Sequence, residues 1–324
     1  MTKSTLILSL DFELFWGMQD VSNLESYRAN ILGGREAIPK LLSLFEKHGI
    51  HATWAAVGFL FAADAEEALQ YAPEPALRPT YTNLERSCYR LFEDRKLLTD
   101  EAKCFFAPEL IRTIAETPGM EIGAHTFSHF YCGESGQTTE QFAADMRALK
   151  RIAQDKGYDL KSVVLPRNNS VPQYNSILQE LGFTSFRDLE NNWIYGRVKP
   201  LLLMRALNLM DVYFPLTGQG GYTPQKQHGI WNLMGSRMYK PYFRPLFFLE
   251  KQKLRRIKRQ MLHAAKHGLV FHLWWHPHNI GVRTEQHLAQ LEEILSYYDM
   301  LKREYGMQSM NMGEMAEAME TGVV

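Results

Sequence analysis

Apolar residues along this chain fall into short runs that alternate with longer amphipathic stretches. TLILSL, residues 5–10, reads as a strand. REAIPKLLSLFEKHG then places Ile38, Leu41, Leu42 and Phe45 on one helical face, with Gly49 where a C′ glycine belongs. IHATWAAVG predicts a second strand, followed by an Ala/Glu-rich helix to about residue 71. PELIRTIAETPG is helical, MEIGAH a strand, and 139–156 a helix with Phe142, Met146 and Leu149 in register, closed by Gly157. SVVLP (strand), VPQYNSILQELG (helix) and FTSFRD (strand) keep the rhythm. The last third repeats it as helix 249–267, strand LVFHLWW, helix 284–303, strand MQSMNM and helix GEMAEAME. Strands alternating with helices build a parallel sheet, and this many units predict an α/β barrel, closed or partly open.

Two stretches interrupt that rhythm. Residues 72–105 carry Pro73, Pro75 and Pro79 and then an Arg/Tyr-rich segment, which reads as an elaborated loop. Residues 190–248 are rich in aromatics, Pro, Gly and basic residues without a strand–helix period. They are expected to form an insertion beside the active face of one domain spanning 1–324, shaping the substrate site. A length of 324 residues exceeds the usual single domain but suits an α/β barrel with insertions.

The composition, 45% hydrophobic and 22% charged, is that of an ordinary soluble globular chain. With 36 basic and 36 acidic residues there is no global field to hold nucleic acid, so no such partner is expected. Cys88, Cys104 and Cys132 form no close pair and fit reduced thiols in a cytoplasm. The first apolar run meets acids at once, so it is neither a secretory h-region nor a membrane span. The expected location is the cytoplasm, with peripheral contact at the inner face of the membrane as the most anticipated. KQKLRRIKR, residues 251–259, reads as a solvated helix face. The alternative is that it and YKPYFRPLFF approach an anionic membrane or a phosphate-bearing, lipid-linked glycan.

In βα barrels the functional groups gather at the C-terminal ends of the strands. Those ends carry Asp11 and Glu13, then His125 and His129 in GAHTFSH, Arg167 in LPRNN and His276 in LWWHPHN. Two acids against a buried strand call for partners, because desolvating an ionised carboxylate is costly. Two residues apart, they face the same side of an extended backbone. His125 and His129 point the same way if HTFSH forms a helical turn; otherwise they are hydrogen-bonded members of a polar loop. Two His and one carboxylate leave an open position, the arrangement of a catalytic Zn²⁺ or a similar ion, and the second carboxylate can serve as general base. Three histidines, His272, His276 and His278, stand in or just after LVFHLWW, and Pro277 ends that strand beside His276. His272 lies deeper and reads as a buried, hydrogen-bonded histidine.

In this order, SLDFELFWG, HATWAAVG, EIGAHTFSH, LPRNN and HLWWHPHN resemble the motifs of polysaccharide deacetylases with a NodB homology domain, carbohydrate esterase family 4. The resemblance covers most of the chain apart from roughly 72–105 and 190–248. It implies an α/β fold, a NodB-like distorted TIM-like barrel of about seven or eight βα units. His125, Thr126 and His129 match the H-[ST]-x-x-H motif fully, whereas the commonest first motif, T-F-D-D-G, is not kept. Phe12 stands in place of the second Asp and Glu13 follows, as in D-x-[DE] variants. By that match Asp11 is the base, and Glu13, His125 and His129 hold one divalent ion, Zn²⁺ with Ni²⁺, Co²⁺ or Mn²⁺ as alternatives. Arg167 corresponds to the arginine that pairs with the catalytic Asp and would keep Asp11 ionised. Asn168 and nearby backbone N–H groups would face the oxyanion. The resemblance also implies a histidine that protonates the leaving amine, for which His276, followed by Pro277, is the better match, with His272 and His278 competing. The implied activity is metal-dependent removal of an N-acetyl or N-formyl group from an amino sugar. The substrate would be a bacterial surface polysaccharide or its lipid- or nucleotide-linked precursor. The alternatives are a deacylase of a small non-sugar amide and a catalytically silent glycan-binding protein of the same fold.

Overall fold

A computed structural model describes residues 3–169, 171–190, 192–194 and 200–322; residues 191 and 195–199 of the expected insertion lie outside the described residues. The strands are β1 (Thr5–Phe12), β2 (Ala52–Ala56), β3 (Met120–Ala124), β4 (Ser162–Val164) and β5 (Ser185–Arg187), then β6 (Gln225–Gln227), β7 (Ile230–Asn232), β8 (Arg237–Met238), β9 (Val270–Trp275) and β10 (Gln308–Ser309). They form one ten-stranded sheet in the order β6-β7-β5-β4-β3-β2-β1-β9-β8, with β10 also on β1. The β6–β7 hairpin is antiparallel, and the other strand pairs are parallel. The helices are α1 (Leu24–His48), α2 (Ala65–Tyr71), α3 (Arg95–Asp100), α4 (Pro108–Glu116) and α5 (Thr139–Asp155), then α6 (Asn175–Glu180), α7 (Leu201–Tyr213), α8 (Glu250–His267), α9 (Thr284–Tyr305) and α10 (Met312–Thr321). This is the expected distorted α/β barrel, in curled form.

Strand parity decides what each face does. On β1, Leu6, Leu8, Leu10 and Phe12 join the large core beneath the helices. Ile7 faces the other way, into a small cluster with Val164, Leu233, Val270 and Met312. Ser9 and Asp11 share the parity of Ile7, so β1 turns its polar residues into the curl. The same rule applied to β9, registered Ile7↔His272 and Ser9↔Trp274, puts His272 and Trp274 on that inner face.

The insertion is more regular than its sequence predicts. It holds α7 and three strands, and these strands are two or three residues long, too short for any period to register. Strands β6 and β7 extend one end of the sheet and β8 the other. The chain between β7 and β8 therefore bridges the two ends. Leu233 and Gly235 donate backbone N–H to Phe186 and Asp188 on one side, while Ser236 and Tyr239 donate to His272 and Trp274 on the other.

Three further boundaries differ from expectation. Helix α1 begins at Leu24, where Asn23 accepts the Ser26 N–H at 2.8 Å. Its Gly33–Gly34 pair weakens any helical reading, but a Cβ on Gly33 would lie 2.0 Å from the Gly281 carbonyl oxygen and one on Gly34 2.8 Å from His278 Cα. MQSMNM keeps only Gln308–Ser309 as strand, because Asn311 and Glu314 form a capping box that starts α10. Within 72–105, α3 and several 3₁₀ turns replace open loop, and Phe92 and Phe105 pack on Trp16.

Candidate active site

Parallel register brings the strand ends to one level. Phe12 pairs with Ala56 and Ala56 with Ala124, so His125 starts where Asp11 and Phe12 end. Leu10 pairs with Trp275, which sets His276 beside Asp11. After β1 the chain turns sharply, with Leu14 at φ 50°, and the buried Leu14, Phe15 and Trp16 anchor that turn. Trp16 donates its indole N–H to the Phe105 carbonyl at 2.6 Å, so the 72–105 segment braces it. Gly17 is needed for the same turn, because a Cβ there would stand 1.9 Å from Glu13 Oε2.

Glu13 Oε1 lies 2.9 Å from His125 Nε2 and 3.3 Å from His129 Nε2. The expected helical turn for HTFSH does not form. Thr126 and His129 have φ of 60° and 54°, and the loop is held by Asp145 on α5. Asp145 accepts the Phe127 N–H at 2.7 Å, the Ser128 N–H at 3.1 Å and the Ser128 hydroxyl. Convergence of the two imidazoles thus comes from a strained loop pinned to a helix, not from helical spacing.

Asp11 and Glu13 have separate partners. Arg187, fully enclosed on β5, donates Nη2–H to Asp11 Oδ2 at 2.6 Å, Nη1–H to Ser9 Oγ at 2.7 Å and Nε–H to Asn168 Oδ1 at 2.8 Å. Its guanidinium also lies 4.3 Å from the Trp274 ring centre. The expectation for Arg167 is therefore corrected: it turns away, pairing with Asp20 and Glu134 and lying over Tyr131. With φ at 61°, Arg167 belongs to a left-handed turn after Pro166 and does not continue the strand. Arg187 was legible as the second inward polar residue of Ser185–Phe186–Arg187, the same alternation that exposes Ser9 and Asp11 to the interior. Asn168 spends its side-chain oxygen on Arg187.

His276 Nε2 is 3.6 Å from Asp11 Oδ2 and 3.5 Å from Glu13 Oε1. The Asn279 side-chain amide lies 3.1 Å from its Nδ1 and holds the ring in place. His272 is enclosed behind, bonded to Ser9 Oγ and the Leu233 carbonyl. His278 stacks on His276 and meets the Tyr27 ring edge. The surroundings separate the three histidines further. Burial presses His272 and His278 down to about 3, aided by Arg187 and His276 respectively. For His276 burial also acts downward, but Glu13 and Asp11 outweigh it and raise the imidazole above its ordinary value. Burial would raise Asp11, yet Arg187, His276 and His125 hold its carboxyl below the usual range. Glu13 is likewise held well below it, burial being outweighed by His276, His125 and His129.

The residues present fit a divalent cation. Glu13, His125 and His129 each offer one buried ligand atom, all within 4.8 Å of one another. Two imidazole nitrogens and a carboxylate oxygen suit such an ion. The Nδ1 atoms of both histidines are buried without a protein partner, so backbone and packing orient these rings. The cleft above, about 370 Å³, is lined by Asp11, Glu13, His129, Arg167, Trp274 and His276 among others. Asp11 Oδ1 is buried there with no hydrogen-bond partner among the described residues.

Residues 30–186 match the family model described as polysaccharide deacetylase. The match includes His125 and His129, stops one residue before Arg187, and leaves Asp11, Glu13 and His276 outside. Among solved structures, a Mycobacterium smegmatis protein assigned as a polysaccharide deacetylase superposes with a TM-score of 0.61 at 13% identity, covering 99% of this chain and 92% of that one. An allantoinase gives 0.58 at 13%, covering 98% and 89%. A 4-alpha-glucanotransferase from Thermococcus litoralis gives 0.52 at 13%, covering 97% of this chain and 40% of the other. At such identities the likeness is one of fold. No curated protein matches the sequence.

Proposed function

We propose, from the match of residues 30–186 to the polysaccharide deacetylase model, that the chain removes an N-acetyl or N-formyl group from an amino sugar. The observation that carries the reading is the division of labour between two neighbouring acids. Glu13 faces His125 and His129, while Asp11 is tied to Arg187, with His276 within 3.6 Å of both. Glu13, His125 and His129 would hold the metal, Zn²⁺ before Ni²⁺, Co²⁺ or Mn²⁺. When bound, that ion polarises the amide carbonyl and makes water more acidic.

The protein's own groups do the rest. Asp11, kept ionised by Arg187, takes a proton from the attacking water through its unpartnered Oδ1. His276, as the imidazolium that the neighbouring Glu13 and Asp11 favour, gives its Nε2 proton to the departing amine and is left as the neutral imidazole. Arg187 fixes the angle of Asp11, and Ser9 and Asn168 fix Arg187. The products are acetate or formate and a free amino sugar, in a surface polysaccharide or its lipid- or nucleotide-linked precursor.

The test pairs metal content with turnover. Wild-type protein should retain about one divalent ion, His125→Ala should lose it, and Asp11→Asn should retain it while turnover of N-acetylated amino sugars falls about 10²- to 10⁴-fold. Wild-type protein that retains no ion, or turnover unchanged in Asp11→Asn, removes the mechanism. Turnover of simple amides without turnover of sugars would establish a small-amide deacylase instead.

A further inference from the structure

Charge in this molecule is segregated in a way the net value of zero conceals. Residues 200–267 contain twelve Lys and Arg but only two acids, Asp211 and Glu250. Both acids are buried and already engaged, Asp211 with Arg237 and Arg256, Glu250 with Lys253. Arg205, Arg244, Lys251, Arg255 and Arg259 are exposed, and none has an ion-pair partner among the described residues. Three of them, Lys251, Arg255 and Arg259, recur every fourth residue along α8 and form one basic stripe.

Apolar side chains stand out beside these cations. Leu202 is 79% exposed, Phe247 and Phe248 63% each, and Leu209, Met210 and Phe214 about half. On α7, Leu202, Arg205 and Leu209 share one outward face. The two apolar segments meet at the start of α8: Tyr213 bonds to Glu250, and the Phe243 N–H donates to the same carboxylate. Arg256 binds the carbonyls of Asp211 and Phe214, locking α7 to α8. Leucine, methionine and phenylalanine exposed among unpaired arginines match the headgroup–acyl boundary of an anionic bilayer. A nucleic acid or free polyanion would engage the arginines and leave the apolar side chains in water.

We propose that this face, made of α7, residues 243–249 and the outer stripe of α8, docks on an anionic lipid surface. Among the described residues no helix is long and apolar enough to cross a membrane, and the contact proposed is a peripheral one. Asn208, Asp211 and Val212 of α7 line the cleft that holds Asp11 and Glu13. Helix α7 thus carries the proposed lipid-facing residues on one side and a wall of the cleft on another, so docking would hold the cleft close to the bilayer. Lipid binding itself does not depend on the deacetylase reading, and it is measured without substrate.

The experiment is co-sedimentation of the full chain with vesicles of phosphatidylcholine alone or with about 30% phosphatidylglycerol. Partition should be at least about tenfold higher on the anionic vesicles and should fall as salt is raised. Arg255→Glu with Arg259→Glu should abolish that preference. Leu202→Ser with Phe247→Ser and Phe248→Ser should cut anionic binding by about tenfold, with circular dichroism and melting unchanged. Equal binding to both vesicle types overturns the proposal. So does anionic binding that the apolar variant leaves intact, which would mark a plain polyanion site. A wild-type dimer that dissociates in the apolar variant overturns it too, since the face would then pair two copies of the chain.

Discussion

Arg187 is wholly enclosed and gives three hydrogen bonds to three residues, whereas Arg255 and Arg259 stand exposed on α8 without an ion-pair partner among the described residues. An enclosed guanidinium must satisfy its donors inside the protein, so its neighbours are held to it and it to them. An exposed one stays hydrated at little cost and keeps its donors for something outside. The first kind of charge orders the groups around it, and the second leaves its donors open to its surroundings. Asp211 connects the two, since it binds Arg237 at the cleft and Arg256 beneath the exposed face.

The sharpest way to break this contrast is to remove one arginine of each kind. Arg187→Ala leaves Asp11 as an uncompensated buried charge and is expected to cost about 3–5 kcal/mol in urea unfolding. Arg167→Ala, whose ion pairs are half-exposed, should cost less than about 1 kcal/mol. Equal losses would mean that Arg187 does not hold the carboxylate alone. Gly17→Ala should come next, because a Cβ at 1.9 Å from Glu13 Oε2 forces that carboxylate off its histidines. Titration with Zn²⁺ should then show binding weakened by about 10- to 100-fold, with the unfolding midpoint shifted far less than in Arg187→Ala.

Asp145 extends the comparison to a buried carboxylate that has hydrogen-bond donors but no cation. Burial lifts its carboxyl to about 6, against the pull of Ser128 and the Phe127 N–H. The folded state therefore holds this proton more tightly than the unfolded one. The linked stability is fully present below about pH 4 and is lost as pH rises through about 6. Asp145→Asn should flatten that part of the stability–pH curve, and an unchanged slope would place the titration elsewhere. The smallest effect belongs to the exposed face. Arg255→Ala with Arg259→Ala should leave unfolding free energy within about 0.5 kcal/mol of wild type.

Much of this contrast was visible along the chain and some was not. Asp11, Glu13, His125, His129 and His276 are polar residues at the ends of apolar strands, a signal that survives without coordinates because parallel strands end at one level. Arg187 lies inside a three-residue strand, where a charged residue looks out of place unless inward parity is considered. Arg167 offered the more familiar pattern, but its left-handed backbone turns it toward Asp20. The strands of residues 225–238 were hidden by their shortness, and they matter because the segment around them joins the two ends of the sheet. Basic residues on α8 were plain to see. What the sequence withheld was that their neighbours Phe247 and Phe248 remain uncovered.

The contact of Gly33 and Gly34 with Gly281 and His278 has a consequence for timing. Helix and turn meet backbone against backbone, at distances that leave no space for even one methyl group. A turn wedged in this manner cannot retract, so His276 at its start stands in position before anything enters the cleft. Under the proposed reaction, the orientational entropy of placing that imidazole is lost once, during folding, and not again at each turnover.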